Sequence, residues 1–389
     1  MTRIARLLCL LILGILGTAS SGAVGADTTV YFVNVYAGPE VYELDGHSAI
    51  LVDIKGREPV AYNYGVFDFN APNFIYRFVK GETDYMAVAV PWHWFMREYV
   101  ARHRRVVAHE LNFDSAQKAR LLSLLEENVK PENATYRYNY VKDNCATRPL
   151  RAVELAAGDP LVLSRPDSAS APTFRSIMRK AHADYPWYQF GIDLALGTGI
   201  DYPLTDRETT FSPIELDAML PTATVTGRPL TVRSEVLTPF GADDAKAGPT
   251  PWYLTPVFAG WTLFAVALLL TVRDLRRRRL CRIFDALWFG LEGLTGCVLT
   301  FLIFISVHEA TSPNWLYLWL NPLCLLVPVC VWMKNSRRLL TAYHIADIVL
   351  LAALAVILAV GVQSPNPAFI PLMLIPLMRS GAYLALQRR

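Results

Sequence analysis

The chain has 389 residues, 53% of them hydrophobic, with 37 basic against 34 acidic side chains and a formal net charge of +3. So apolar a composition excludes an ordinary soluble protein and implies a soluble domain plus membrane spans. The near-balance of charge excludes the strong basic excess of a nucleic-acid binder, and no nucleic-acid partner is expected.

Residues 1–26 begin with Arg3 and Arg6, continue in a short apolar run from Leu7 to Gly17, and end in the small residues Val24-Gly25-Ala26. The run is too short to span a bilayer, so it reads as a secretory signal cleaved after Ala26, with a retained anchor as the alternative. Cys9 lies too early in it to be a lipidation site.

Residues 27–222 read as one exported α+β domain. Thr29 to Tyr36 is a strand. Ala49 to Ile54 and Pro59 to Tyr64 form a hairpin that turns at Lys55-Gly56. Pro72 to Lys80 is helical and stops at Gly81, Asp84 to Val90 alternates as a strand, Trp92 to His103 is helical, and Arg105 to Leu111 alternates again. Asp114 and Gln117 make a capping box for a helix through Val129 whose apolar face is Leu121, Leu122 and Leu125. Thr135 to Val141 is an aromatic strand leading into Lys142-Asp143-Asn144-Cys145, and a helix runs on to Ala157, stopped by Gly158. Short helices and loops follow, and residues 223–251, rich in threonine, proline and glycine, read as a linker.

Residues 252–389 hold five hydrophobic segments, near 253–272, 283–307, 315–333, 345–363 and 368–386, each long enough to cross a bilayer as one helix of an all-α bundle. Six arginines lie in Arg273 to Arg282, three basic residues in Lys334 to Arg338, and the chain ends Arg388-Arg389, whereas His308 to Asn314 and Gln363 to Pro367 contain no lysine or arginine. The positive-inside rule puts the basic loops in the cytoplasm and the others outside with the soluble domain. Glu292 and Arg379 lie inside spans, roughly 13 and 11 Å from the cytoplasmic ends at about 1.5 Å per residue, so an ion pair between them is expected, with snorkelling of Arg379 as the alternative.

Six cysteines sort by position: Cys9 in the signal, Cys281, Cys297, Cys324 and Cys330 at or within the spans, and Cys145 by itself in the exported domain. A thiol without a disulfide partner in an oxidising compartment reads as reactive, and a place where a strand turns into a helix would lower its pKa. It needs a base. Of the five exported histidines, His47 has the best context, in Leu44-Asp45-Gly46-His47-Ser48 at the start of a rigid strand where the glycine admits a second chain. Asn63, on the return strand, is the candidate to orient it. His93, His103 and His109 lack a third ligand at a metal spacing and read as surface or core histidines, so neither a metal nor a cofactor is expected.

GHSAILV, VAYNYGVFDFNAPNF, FVKGETDY and YRYNYVKDNCATR together resemble the periplasmic domain of the Lnb-type lipoprotein N-acyltransferases, and the similarity continues through FGIDLALGTGIDYPLT, FSPIELDAML and the membrane half. The histidine-first, cysteine-later order also resembles a permuted NlpC-type papain-like site. The resemblance implies a multi-pass protein of the inner membrane that moves a fatty acyl chain from a phospholipid, through a Cys145 thioester, to the α-amino group of a lipoprotein's diacylglyceryl cysteine. It fits Cys145 as nucleophile, His47 as base and Asn63 as orienting group. Tyr64, Asn144 and Arg148 are candidate substrate-binding residues, joined by His308 and Asn314, which cluster with Glu309 and Asn321 at the outer membrane edge below the exported domain and read as facing the site, with a merely wet loop as the alternative. Pro149 departs from the family pattern. It fits the first helical turn if Thr147 caps the helix and lies at the edge of tolerance if Asn144 does. The rival readings are a membrane-anchored amidase or peptidase acting on cell-wall peptides, and a non-enzymatic sensor or assembly protein.

Overall fold

The computed structural model describes residues 27–167 and 170–387. The expected signal over residues 1–26 and the Arg388-Arg389 tail lie outside the described residues. The soluble half is α+β. Its strands β1 (Thr28–Val35), β2 (His47–Ile54), β3 (Val60–Val66), β4 (Asp84–Pro91), β5 (Val106–Leu111), β6 (Thr135–Arg137) and β7 (Thr231–Val236) form one antiparallel sheet in the order β7-β5-β1-β2-β3-β4-β6. Helices α1 (Phe74–Lys80), α2 (Trp92–Ala101), α3 (Ser115–Asn128) and α4 (Thr147–Ala157) complete its first part.

Both faces of the sheet are covered, which is why β2 reads as an unbroken apolar run and not as an alternation. Ile50 and Val52 pack with Leu121 and Leu125 of α3 and Leu150 and Val153 of α4, while Ala49 and Leu51 pack with Phe95 and Tyr99 of α2 on the other face. The capping box is present: Asp114 Oδ1 accepts from the Gln117 amide at 2.8 Å and Gln117 Oε1 from the Asp114 amide at 3.0 Å. The strand expected through Val141 stops at Arg137, because Asn139 Oδ1 accepts from the amides of Val141 and Lys142 and turns the chain. His103, with φ 54°, lies in the turn after α2, which ends at Ala101.

Helices α5 (Phe174–Ala181), α6 (Pro186–Ala195) and α7 (Pro213–Met219) form the stretch that sequence patterns left unassigned. The expected linker is in part a strand. Thr231–Val236 pairs with β5 as the outer edge of the sheet, held further by Val106 N–H donating to Thr238 Oγ1 at 3.0 Å. Its TVRSEV pattern suits an edge, since Arg233 and Glu235 are exposed and blunt further pairing.

Among the described residues four helices are long and apolar enough to cross a membrane: α8 (Pro256–Arg276), α9 (Arg282–Phe304), α10 (Arg337–Ala359) and α11 (Phe369–Gln387). The segment expected as a fifth helix, 315–333, instead forms two 3-10 turns, Trp315–Leu318 and Pro322–Leu325, and a short helix, Leu326–Cys330. Pro322 and Pro328 each remove an amide donor, and Asn321 Oδ1 caps the second turn through Leu323 N–H at 3.1 Å. The broken stretch lies directly on α9, where a Cβ at Gly296 would meet the Asn321 backbone at 2.4 Å. It also carries the chain along the bundle. The chain leaves α9 beside the soluble domain, with Val307 N–H donating to Lys80 O at 2.8 Å, and α10 begins at the opposite end, where Arg337 reaches Gln387 O at 3.1 Å.

The expected Glu292–Arg379 pair does not form. Arg379, 1% exposed, is held bidentately by Asp285 at 2.6 and 2.9 Å, and also reaches Asp274 at 3.1 Å and Thr271 at 2.9 Å. Glu292 Oε1 accepts from the indoles of Trp288 and Trp319, both at 2.9 Å. Depth within the bundle matched the two charges, but Asp285, two turns nearer the basic end of the same helix, meets the long Arg379 side chain first. Removing one member of a buried ion pair costs about 3–5 kcal/mol. Arg379→Gln is therefore expected to collapse the folded yield in detergent, and adding Asp285→Asn to restore part of it. Glu292→Gln should add its own smaller loss independently. Thermal unfolding of the single and double variants checks this, and additivity between Arg379 and Asp285 would contradict the pairing.

Candidate active site

Ala49 lies opposite Asn63 in the β2–β3 pairing, so His47 comes opposite Gly65 at the open end of the hairpin. His47 and Asn63 both face the α2 side, and His47 Nε2 lies 2.6 Å from Asn63 Oδ1. With that oxygen as acceptor, Nε2 carries the ring proton and Nδ1 keeps its lone pair. Gly46 (φ 84°) brings His47 tight against β1, where any Cβ would meet Val35 O at 2.6 Å. Gly65 takes a left-handed φ of 89° that favours glycine, and it lies against Cys145, whose Cβ would be in ordinary contact at 3.4 Å with a Cβ built there.

Cys145 is fixed by its neighbour. Asn144 Oδ1 accepts from the amides of Ala146 at 2.9 Å and Thr147 at 3.0 Å, and Asn144 Nδ2 donates to Tyr140 O and Phe211 O, both at 2.8 Å. Thr147 Oγ1 accepts in return from Asn144 N–H at 2.8 Å. Helix α4 begins at Thr147, so Pro149 falls in its first turn, where the missing amide costs nothing. Cys145 sits just before the helix, inside the turn that this reciprocal cap closes.

Burial dominates the electrostatics. Cys145 is 8% exposed, and loss of hydration pushes its thiol up to about 11, against the Tyr138 hydroxyl and the Ser48 amide, which pull it down. Burial thus opposes the depression expected from a helix end, and Cys145 lies just outside the helix that begins at Thr147. The His47 ring retains some surface exposure, yet its enclosure pushes the pKa down to about 4, opposed by the Asn63 hydrogen bond and aided by the Arg104 guanidinium. At neutral pH the pair is therefore an uncharged thiol and an uncharged imidazole.

Several contributors were not read from sequence. Tyr138 Oη lies 4.0 Å from Cys145 Sγ, and its ring stacks on Tyr85 at 4.2 Å. Asp45, two residues before His47, accepts from Tyr140 Oη and meets His182 Nε2 at 3.3 Å, while His182 Nδ1 meets Gln189 Oε1 at 2.7 Å. The alternating tyrosines of YRYNY were visible; the partnership with His182, 137 residues from Asp45, had no local signal.

Most of the expected substrate-binding set is committed elsewhere. Tyr64, 1% exposed, points into the α3–α4 core and accepts from Asn128 Nδ2 at 2.9 Å, because alternation turns it away from Asn63. The Asn144 amide is fully engaged, its oxygen by the cap and its nitrogen by the Tyr140 and Phe211 carbonyls. Arg148 is bidentate to Asp143 at 3.0 and 2.8 Å and lies over the Tyr136 ring at 3.5 Å. Asn314 donates to Leu194 O at 2.9 Å and accepts from Gln363 at 3.0 Å and Leu316 N–H at 3.1 Å, clamping soluble to membrane half. His308 meets Phe78 O at 2.8 Å on the same seam. Asn144, Asn314 and His308 hold backbone, whereas Tyr64 and Arg148 are bound to other side chains.

A thiol packed at Gly65, opposite the histidine of a histidine–asparagine pair, on an α+β domain seated against a hydrophobic helix bundle, marks a polytopic membrane protein with a candidate cysteine–histidine site. The chain belongs to the Lnb family: residues 23–180 match the Lnb N-terminal periplasmic domain and residues 249–389 the Lnb transmembrane domain. The soluble domain is thus periplasmic. No curated protein and no solved structure matches the chain.

The charge state has a direct readout. With a thiol at about 11, alkylation of Cys145 by iodoacetamide should rise close to tenfold per pH unit from pH 6 to 9 without a plateau, since only the thiolate reacts. A plateau already present at pH 6 would show a thiolate–imidazolium pair instead.

Proposed function

We propose that this protein is an inner-membrane lipoprotein N-acyltransferase, with Cys145 as nucleophile, His47 as base and Asn63 as the group that orients His47. The observation that carries the reading is the meeting of the Cys145 turn with the His47–Asn63 hydrogen bond at the open end of the β2–β3 hairpin. The periplasmic domain is read as a permuted papain-like fold, since the strand bearing the base precedes the helix that follows the nucleophile. The membrane half is read as crossing five times, the broken 315–333 segment being the third crossing, with the basic loops in the cytoplasm.

In this reaction Cys145 Sγ attacks an ester carbonyl of a phospholipid while its proton passes to His47 Nδ1. The oxyanion takes hydrogen bonds from backbone N–H groups, those of Cys145 and Ser48 being nearest the sulfur. Collapse breaks the ester C–O bond, and the proton on His47 goes to the leaving alkoxide, which departs as a lysophospholipid. The uncharged α-amine of a diacylglyceryl-cysteine lipoprotein then attacks the thioester. His47 accepts the amine's proton as the amide forms and returns it to the departing thiolate. No redox step occurs, and neither metal nor cofactor is called on. An uncharged resting pair suits this cycle, because His47 must accept a proton in each half.

Incubating purified protein with phospholipid and no acceptor should accumulate a fatty acyl adduct on Cys145 by intact mass, released by neutral hydroxylamine and discharged by a diacylated lipopeptide. His47→Ala should slow loading by about 10²–10⁴-fold, and Asn63→Ala less, with both proteins folded. An adduct that only water discharges would favour an amidase or peptidase. Transfer that persists in Cys145→Ala without any adduct would sink the proposal.

A further inference from the structure

An open groove of about 830 Å³ runs between α1 of the periplasmic domain and the outer part of α9, lined by Phe74, Ile75 and Tyr76 on one side and Cys297, Val298 and Phe301 on the other. Its volume is in the range of small-molecule sites, roughly 300–1,000 Å³, and its open side leaves room for a longer chain to extend along the bundle. Cys297 lies seven residues before the end of α9, about 10 Å below it at 1.5 Å per residue, so the groove opens at the depth of acyl chains and not of water. Ile75, Tyr76 and Phe78 are 78%, 54% and 51% exposed, an apolar patch that a soluble surface would not carry.

Two further observations identify the occupant. A continuous aromatic wall leads from the groove to the thiol: Phe74 to Phe67 at 5.8 Å, Phe67 to Tyr85 at 4.9 Å, Tyr85 to Tyr138 at 4.2 Å, and Tyr138 Oη to Cys145 Sγ at 4.0 Å. A smaller cavity of about 190 Å³ adjoins it, sharing Ala71 and Phe74, and is lined by Arg77, Thr83 and Asp84. Thr83 is 8% exposed, and its hydroxyl is buried without a hydrogen-bond partner. Arg77 and Arg137 both bind the Asp84 carboxylate, at 2.5 and 3.2 Å, and Asp68 lines the same cavity, so half-exposed guanidiniums and carboxylates stand side by side at its rim. An apolar slot at membrane depth beside a rim of mixed charge with an unpaired hydroxyl matches a zwitterionic phosphodiester head group carrying acyl chains. A lipoprotein N-terminus presents an amine and no phosphate there.

We propose that the α1–α9 groove holds the acyl donor, a glycerophospholipid, with its chains between Ile75, Tyr76 and Val298, its phosphate at Arg77, Arg137 and Thr83, and its ester passed along the Phe67–Tyr85–Tyr138 wall to Cys145. The placement rests on the acyl-transfer reading and is tested apart from it. Cys145→Ala protein in nanodiscs containing a phosphatidylethanolamine with a mid-chain diazirine is irradiated, and cross-links are mapped by fragment mass. Labelling of Ile75, Tyr76 or Val298 supports the site, whether or not a thioester ever forms in the wild type. Labelling confined to other helices overturns it, as does labelling of the same residues by a diazirine-bearing diacylated lipopeptide in preference to the phospholipid, even if the thioester forms. In the protein with its thiol, Val298→Trp should reduce labelling and slow loading by at least about tenfold. Thr83→Val should raise the KM for phospholipid about fivefold with little change in kcat or in the KM for the lipopeptide. Equal effects on both substrates in variants with unchanged melting would also overturn the assignment.

Discussion

The periplasmic site depends on one side chain that does no chemistry. The Asn144 amide joins three pieces of chain: the turn at Tyr140, the start of α4, and the loop at Phe211 before α7. A buried amide with every valence used has a single satisfactory orientation, because each unmade bond would cost about 1–3 kcal/mol. The Cys145 backbone, next in sequence, inherits that rigidity. The same logic operates across the sheet, where Ser48 Oγ donates to Asn34 Oδ1 at 2.6 Å and Asn34 Nδ2 to Asp217 at 3.3 Å, while Asp217 is bound by Tyr36 and by His109, both at 2.7 Å. This network fixes the Ser48 amide near the sulfur from the opposite side. Thiol and amide are thus held by separate frameworks that meet at the end of the hairpin.

A second polar node fixes the domain on the membrane bundle. Arg175, 1% exposed, binds Asp193 at 2.9 Å, Asp201 at 2.7 Å, and the carbonyls of Leu196 and Gly197 at 2.9 and 2.8 Å. Asp193 is shared with Arg179 and with Asn366 Nδ2 at 2.8 Å, the latter in the loop between α10 and α11. Gly197 N–H donates to Ala310 O at 2.8 Å and Thr198 N–H to Pro313 O at 2.8 Å, adding backbone contacts to the loop after α9. Buried charges of this kind contribute little net stability compared with apolar packing, but they admit one geometry. The seam therefore has a defined orientation, and the apolar face of α1 is held against α9.

Signals confined to a short window were legible in the sequence. The Asp114–Gln117 cap, the β2–β3 hairpin and the pairing of His47 with Asn63 all lie within about one element, so spacing and alternation carry them. Alternation also argued against Tyr64 as a neighbour of Asn63 in function, since successive strand residues face opposite sides; the adjacency in sequence misled. What could not be read is set by elements far apart in the chain: Asp45 with His182, Asn34 with Asp217, Arg379 with Asp285. Depth alone could not choose among the carboxylates near Arg379. Hydropathy likewise registers 315–333 as apolar without registering that Pro322 and Pro328 break its helix, and that Gly296 on α9 lets the broken backbone lie close. The expected linker failed for a related reason, since an edge strand with one solvated face is compositionally close to a loop.

The competition between dipole and burial at Cys145 bears on the proposed chemistry. A thiolate stabilised in water by a helix end would be ready for any electrophile, including oxidants of an oxidising compartment, whereas a buried neutral thiol is quiet until a base and an acyl group are both in place. The same dryness bears on the second half-reaction. A thioester waiting for an amine must not meet water first, and a nucleophile walled by Tyr85, Tyr99 and Tyr138 and approached from an apolar seam favours a lipid-borne amine over bulk solvent. The desolvation that raises the thiol pKa is thus the same property that would make transfer win over hydrolysis.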